Sequence, residues 1–142
     1  MNMMDMVMAM LAVVFFTTIA AVYNRSLLTQ QENLNNATLV VQATQICHSS
    51  LDEVDALLFA KQVSFADVTT RFTYSQTRNY DFLGTTFTVT SQAVECDSLG
   101  NTLSSPPVNN AFKSVTVTVS GPASLRRPVT LRRMFTKTSM YL

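Results

Sequence analysis

Between Met6 and Tyr23 the chain reads MVMAMLAVVFFTTIAAVY, eighteen residues without a charge, and neither glycine nor proline occurs before Gly84. As a continuous helix this stretch rises about 27 Å, close to the ~30 Å of hydrocarbon in a bilayer. Met, Leu and Ala favour helix, and the interspersed Val, Ile and Thr are tolerated in one. A helix that is apolar around its whole circumference has two stable settings, lipid or a dense bundle of other helices. Charged residues are 13% of the chain, against roughly 25% in an ordinary soluble protein, and much of the deficit lies in this one segment.

A cleaved export signal would show a basic leading region, a shorter apolar run and a small-residue cleavage site. Residues 1 to 4 carry no Lys or Arg, and the first basic residue, Arg25, lies beyond the apolar run. The positive-inside rule applied to this order alone would leave the following domain in the cytoplasm. One resolution that allows export of that domain is that the sequence is a mature product whose basic leader has been removed, with Met1 its first residue and not the initiator. That is the expectation adopted here.

Asp5 stands at the head of the apolar run. A carboxylate there costs a few kcal/mol at worst and less near the interface, and such residues usually have a partner. The α-amino group of Met1 is the one cation before Arg25. The plainer alternative is a capping acid at a helix amino terminus, where negative charge is favoured.

A hydrophobic first residue, an acid at position 5, an apolar run to about position 23 and then a polar, amphipathic continuation resemble the type IV pilins and the type II secretion pseudopilins, over Met1 to roughly Ala60. In that family a leader peptidase cuts before the first residue and methylates its amine, and the acid at position 5 neutralises the amino terminus of a neighbouring subunit. By resemblance those roles fall on Met1 and Asp5, and Met6, Met10, Leu11, Val14, Phe15, Phe16, Ile19 and Val22 become the packing residues of a filament core. The family more often has Phe at position 1, Glu at position 5 and a helix-breaking Gly or Pro in the apolar run. Their absence here implies a shorter-reaching acid and a helix that resists local melting, with Tyr23 to Ser26 its weakest stretch.

Residues Thr29 to Thr38, TQQENLNNAT, leave the apolar zone without a breaker. Leu39, Ala43, Ile46, Cys47, Leu51, Val54, Leu57 and Leu58 then recur at spacings of three and four, the stripe of an amphipathic helix facing a core. Ser50 and Glu53 are spaced as a capping box, but continuity to about Ala60 is the preferred reading. Beyond it the period falls to two. Val68, Thr70, Phe72 and Tyr74; Phe87 and Val89; Val115, Val117 and Val119; and Val129, Leu131 and Phe135 each read as a strand. Turn signals lie at Asn79 to Gly84, at Asp97 to Asn110 and at Gly121–Pro122. The expected fold is α+β: a long helix on a roughly four-stranded antiparallel sheet. Its parts are an anchor over 1–25, an amphipathic continuation over 26–62, and a β-rich head over 63–142 packed on residues 39–60.

Cys47 on the inward stripe and Cys96 at the end of the second strand suggest a helix-to-sheet disulfide; the alternative is two buried free thiols. Residues 1–97 hold nine acids and four bases, whereas 98–142 hold six bases and no acid. Alternation would put Arg132 and Arg133 on opposite faces of a strand, and no interleaved stacking aromatics accompany the bases, which argues against nucleic acid as a partner.

The single histidine, His48, excludes paired-His metal sites, and Cys47 and His48, adjacent on a helix, point in different directions. Asp52, Glu53 and Asp55 read as a solvated acidic face. The scattered glycines form no phosphate loop. Of two glycosylation sequons, that at Asn36 is clear of the membrane segment and is the better acceptor. The expectation is a non-enzymatic structural subunit without cofactor or metal, partnered by copies of itself, by membrane before assembly and by pilus assembly machinery. It would reside first in the inner or cytoplasmic membrane and then in an extracellular filament. A minor pseudopilin and a membrane-tethered binding domain are the alternatives.

Overall fold

With no breaker for more than fifty residues the backbone forms one helix, α1, from Met3 to Phe59, in the computed structural model, which describes residues 2–80, 84–107 and 109–137, apart from the side chains of 78–80. Neither Tyr23–Ser26 nor Ser49–Leu51 interrupts it. It stops in a Schellman turn: Lys61 takes a left-handed φ of 54°, its N–H donates to Leu58 O, and Gln62 N–H donates to Leu57 O. The chain divides into two compact units at Ala37/Thr38.

The second unit contains α1 from Thr38 onward and a four-stranded antiparallel meander, β1 (Tyr74–Tyr80), β2 (Thr85–Glu95), β3 (Phe112–Ser120) and β4 (Val129–Thr136), in spatial order β1-β2-β3-β4. The expected stripe is the packed face of the helix: Leu39, Ala43, Ile46, Cys47, Leu51, Val54 and Leu58 are buried, Leu57 partly. Against it lie Phe87, Val89 and Ala93 of β2, Val115, Val117 and Val119 of β3, and Phe135 of β4. The result is a helix-on-sheet α+β fold.

Register fixes what each face carries. Ser91 pairs with Val117, Val117 with Leu131, and Val115 with Arg133, so these side chains share the face towards α1. The other face holds the threonines, where Ser75 meets Thr90 at 3.3 Å and Thr118 meets Thr130 at 3.0 Å through their hydroxyls, cross-strand pairs that stabilise an exposed face.

The first expected strand begins too early. Phe65–Asp67 is a 3-10 turn and Val68–Arg71 a short helix, α2. Val68 and Phe72, four apart, are buried, while Thr70 is exposed. Side-chain hydroxyls favour the helical turns: Ser64 Oγ accepts from Ala66 N–H, Thr70 Oγ1 donates to Asp67 O and Thr73 Oγ1 donates to Thr69 O. Conversely, β1 extends through Asn79 to Tyr80, where a turn was expected to begin. Gly84 has a φ of 61° and immediately precedes β2; residues 81–83 of that turn lie outside the described residues.

The expected Cys47–Cys96 disulfide is not formed; both are buried free thiols. Cys47 faces the sheet, its Sγ 3.7 Å from Val117 O and from Val129 O. Cys96 continues the even-numbered series Thr88, Thr90, Gln92 and Val94, on the face turned away from α1. Its N–H donates to Phe112 O, at the far end of β3 from Val117. The sheet separates the two sulfurs, and Cβ atoms on opposite faces cannot reach bonding distance. Burial pushes both thiols above the ordinary value of 9.0, opposed at Cys47 by backbone N–H groups of Val119 and Leu131 and at Cys96 by Ser114 and Arg132.

Three outcomes follow from those thiols. Non-reduced and reduced protein will have the same mass, and an alkylating reagent at neutral pH will modify both cysteines only after unfolding. Because a raised folded pKa favours the neutral thiol, its contribution to stability is complete below the unfolded value and is lost as pH climbs through the folded one. Denaturant unfolding followed across that alkaline window will show the decline.

Candidate assembly surface

The first unit is the amino-terminal part of α1, to Ala37. Every residue from Asn2 to Asn35 is exposed. Large apolar side chains are among them: Met10 is 67% exposed, Phe15 66% and Phe16 70%. At 100° per residue Met6 and Phe15 point in roughly opposite directions. Met10, Leu11, Val14, Ile19 and Val22 fill the directions between. There is no single seam of the kind that makes a two-stranded coiled coil; the surface suits neighbours on all sides.

Such a helix must keep its polar atoms to itself. The main chain does so by its own hydrogen bonds, and the hydroxyls in the apolar run are returned to it: Thr17 Oγ1 lies 2.9 Å from Val13 O and from Val14 O, and Thr18 Oγ1 2.7 Å from Val14 O. Neither threonine hydroxyl of that run needs water. Among the described residues α1 is the helix long and apolar enough to cross a membrane, and it is suited to membrane anchoring.

At the amino end Asn2 caps the helix, its carbonyl accepting from Asp5 N–H at 2.9 Å and from Met6 N–H at 3.3 Å. Asp5 Oδ2 accepts from Asn2 N–H at 3.3 Å, the reciprocal half of a capping box. This is the plainer of the two roles read for Asp5, and it leaves carboxylate acceptor capacity to spare. Met1, to which the resemblance gives the partner amine, lies outside the described residues. Asn36 is half-buried within α1.

In the second unit, polar groups that looked like surface features tie the helix to the sheet. Arg133 Nη1 meets Asp52 Oδ1 at 2.9 Å and Asp55 Oδ2 at 2.5 Å, so two of the three acidic residues expected to form a solvated face share one guanidinium, while Glu53 is exposed. Asp52 and Asp55 are three apart and therefore neighbours on the helix, which was a readable signal; the partner was not. These hydrogen bonds raise the Arg133 pKa. Arg132, on the opposite face, donates to Ser114 Oγ at 2.9 Å and to Gly100 O. The split of the two arginines follows strand alternation.

A cleft of about 220 Å³ lies between the Ser64–Ala66 turn and the ends of β2 and β3, lined among others by Glu95, Asn110, Lys113 and Lys137. Lys113 is 4% exposed, donates to Ala66 O at 2.8 Å, lies 3.5 Å from Glu95 Oε1 and sits 5.4 Å over the Phe65 ring. Its amine is committed to holding the turn on the sheet. His48 is exposed. No group of three or more metal-ligating side chains occurs among the described residues.

No protein-family model, curated protein or solved structure matches this chain.

The two units predict opposite responses to truncation. Leu51→Ala, in the core, will lower unfolding free energy by about 2–5 kcal/mol, whereas Phe15→Ala will change it by less than about 0.5 kcal/mol. Denaturant titration of detergent-solubilised protein measures both. Arg133→Ala will lose about 1 kcal/mol, and less at high salt.

Proposed function

We propose that this chain is a structural subunit of an extracellular, type IV pilus-like filament, held in the inner or cytoplasmic membrane by its amino-terminal helix until assembly. The observation that carries the proposal is a helix apolar on every side and uncovered by its own subunit, followed in the chain by an independently packed α+β unit. The resemblance of Met1 to Ala60 to the pilin pattern supports it. Lipid satisfies such a helix as well as other copies do, so apolar burial cannot by itself draw subunits out of the membrane. Close packing of unbroken helices, a pairing of Asp5 and the assembly machinery have to supply the difference. The role is binding, without catalysis, cofactor or metal.

Shearing cells that express the chain and imaging the released material by electron microscopy tests this. Fibres with the chain as major component are expected. Protein confined to membranes as a monomer would instead favour a tethered binding domain, and a trace component at fibre ends a minor pseudopilin. Asp5→Ala is expected to reduce fibre yield severely while membrane insertion, followed by fractionation, is unchanged. Normal yield from that variant would remove Asp5 from the mechanism.

A further inference from the structure

Asp5 and Arg25 are the only charged side chains between residues 1 and 31. Both are exposed on α1. No side chain three or four residues away carries an opposite charge: Asp5 has Asn2, Met8 and Ala9, besides Met1 with its α-amino group, and Arg25 has Ala21, Val22, Leu28 and Thr29. Among the described residues the Asp5 carboxylate accepts a single bond, 3.3 Å from Asn2 N–H. At Arg25 the hydrogen bond to Thr29 Oγ1 is made by the carbonyl and not by the guanidinium.

Their spacing has a geometric meaning. Twenty residues of helix rise about 30 Å, which is about one hydrocarbon thickness. In the membrane the two charges therefore reach opposite interfaces, each able to remain in water. In a bundle of such helices that water is gone, and an unpaired charge among apolar side chains is strongly unfavourable. A parallel copy displaced outward by one membrane thickness brings its Asp5 level with Arg25 of the copy it leaves behind. Twenty residues also turn the helix by about 200°, so one copy offers Asp5 to one side and Arg25 to nearly the opposite side. A contact of that kind joins different patches and does not close on itself, so it propagates.

We infer that Asp5 of each subunit pairs with Arg25 of an adjacent subunit displaced by one membrane thickness, and that this pair sets the axial register of the filament. The inference rests on the filament reading above and names the side chain that receives the acid.

Charge reversal tests it. Arg25→Gln, Arg25→Asp and Asp5→Arg are each expected to cut sheared-fibre yield at least about tenfold, with the subunit still recovered from the membrane fraction. The double variant Asp5→Arg/Arg25→Asp is expected to restore yield to within about twofold, since the pair is kept with its ends exchanged. Fibre yield unaffected by Arg25→Gln, or a double variant no better than the single ones, overturns the pairing; if Asp5→Ala still fails, the Met1 amine is left as the partner and the filament reading stands. Absence of fibres from the unmodified chain overturns both.

Discussion

An α-helix satisfies its own main-chain hydrogen bonds, and everything else in this molecule depends on that property being kept from Met3 to Phe59. A backbone with no groups left over is indifferent to whether its side chains meet water, lipid, a sheet or other helices. Side-chain chemistry alone then sets the environment each part requires. Over Met6–Tyr23 that chemistry is apolar in all directions, and even Thr17 and Thr18 turn their hydroxyls back to carbonyls. Over Leu39–Leu58 it is apolar along one stripe, which the sheet covers. A proline in either stretch would remove an amide donor and leave a carbonyl without its helical partner, which neighbouring groups would then have to satisfy.

In the packed unit, two-residue alternation distributes the polar groups as strictly as it distributes valines. Arg132 and Arg133 are adjacent, yet one is drawn to Ser114 and Gly100 beyond the outer face while the other reaches Asp52 and Asp55 on the helix. Lys113 occupies a core-facing position of β3, and its burial is tolerable because a carbonyl, a carboxylate and an aromatic ring surround its amine. The basic character of the last third of the chain is thus partly internal wiring. What remains exposed, including Arg127, is a smaller charge than composition suggests.

The absence of an interior for residues 2–35 is the counterpart of this economy. An apolar surface without a seam rules out the pairwise solution of a coiled coil and demands either lipid or several neighbours at once. Two charges in such a surface, Asp5 and Arg25, then carry more positional information than all the apolar side chains around them, because dispersion contacts tolerate sliding and a desolvated charge does not.

Much of this was legible in order and spacing alone. The unbroken helix, its buried stripe from Leu39 to Leu58, and the strands containing Phe87–Val89, Val115–Val119 and Val129–Phe135 follow from local periodicity, because each is decided by which faces of one element are apolar. The misplaced first strand was a local ambiguity: Val68, Thr70 and Phe72 alternate acceptably, but Val68 and Phe72 also stand four apart, and hydroxyls bonding to their own backbone favoured the helical turn. Residue order by itself determined the elements, the apolar amino-terminal surface and the opposition of Arg132 and Arg133. The parity of Cys96 with Thr88 and Thr90, and of Lys113 with Val115, is local too; only tertiary structure decided that Asp52 and Asp55 share Arg133 and that Ala66, Glu95 and Phe65 surround the Lys113 amine. Those outcomes depend on strand register across long connections, and no local pattern encodes the alignment of residues tens of positions apart.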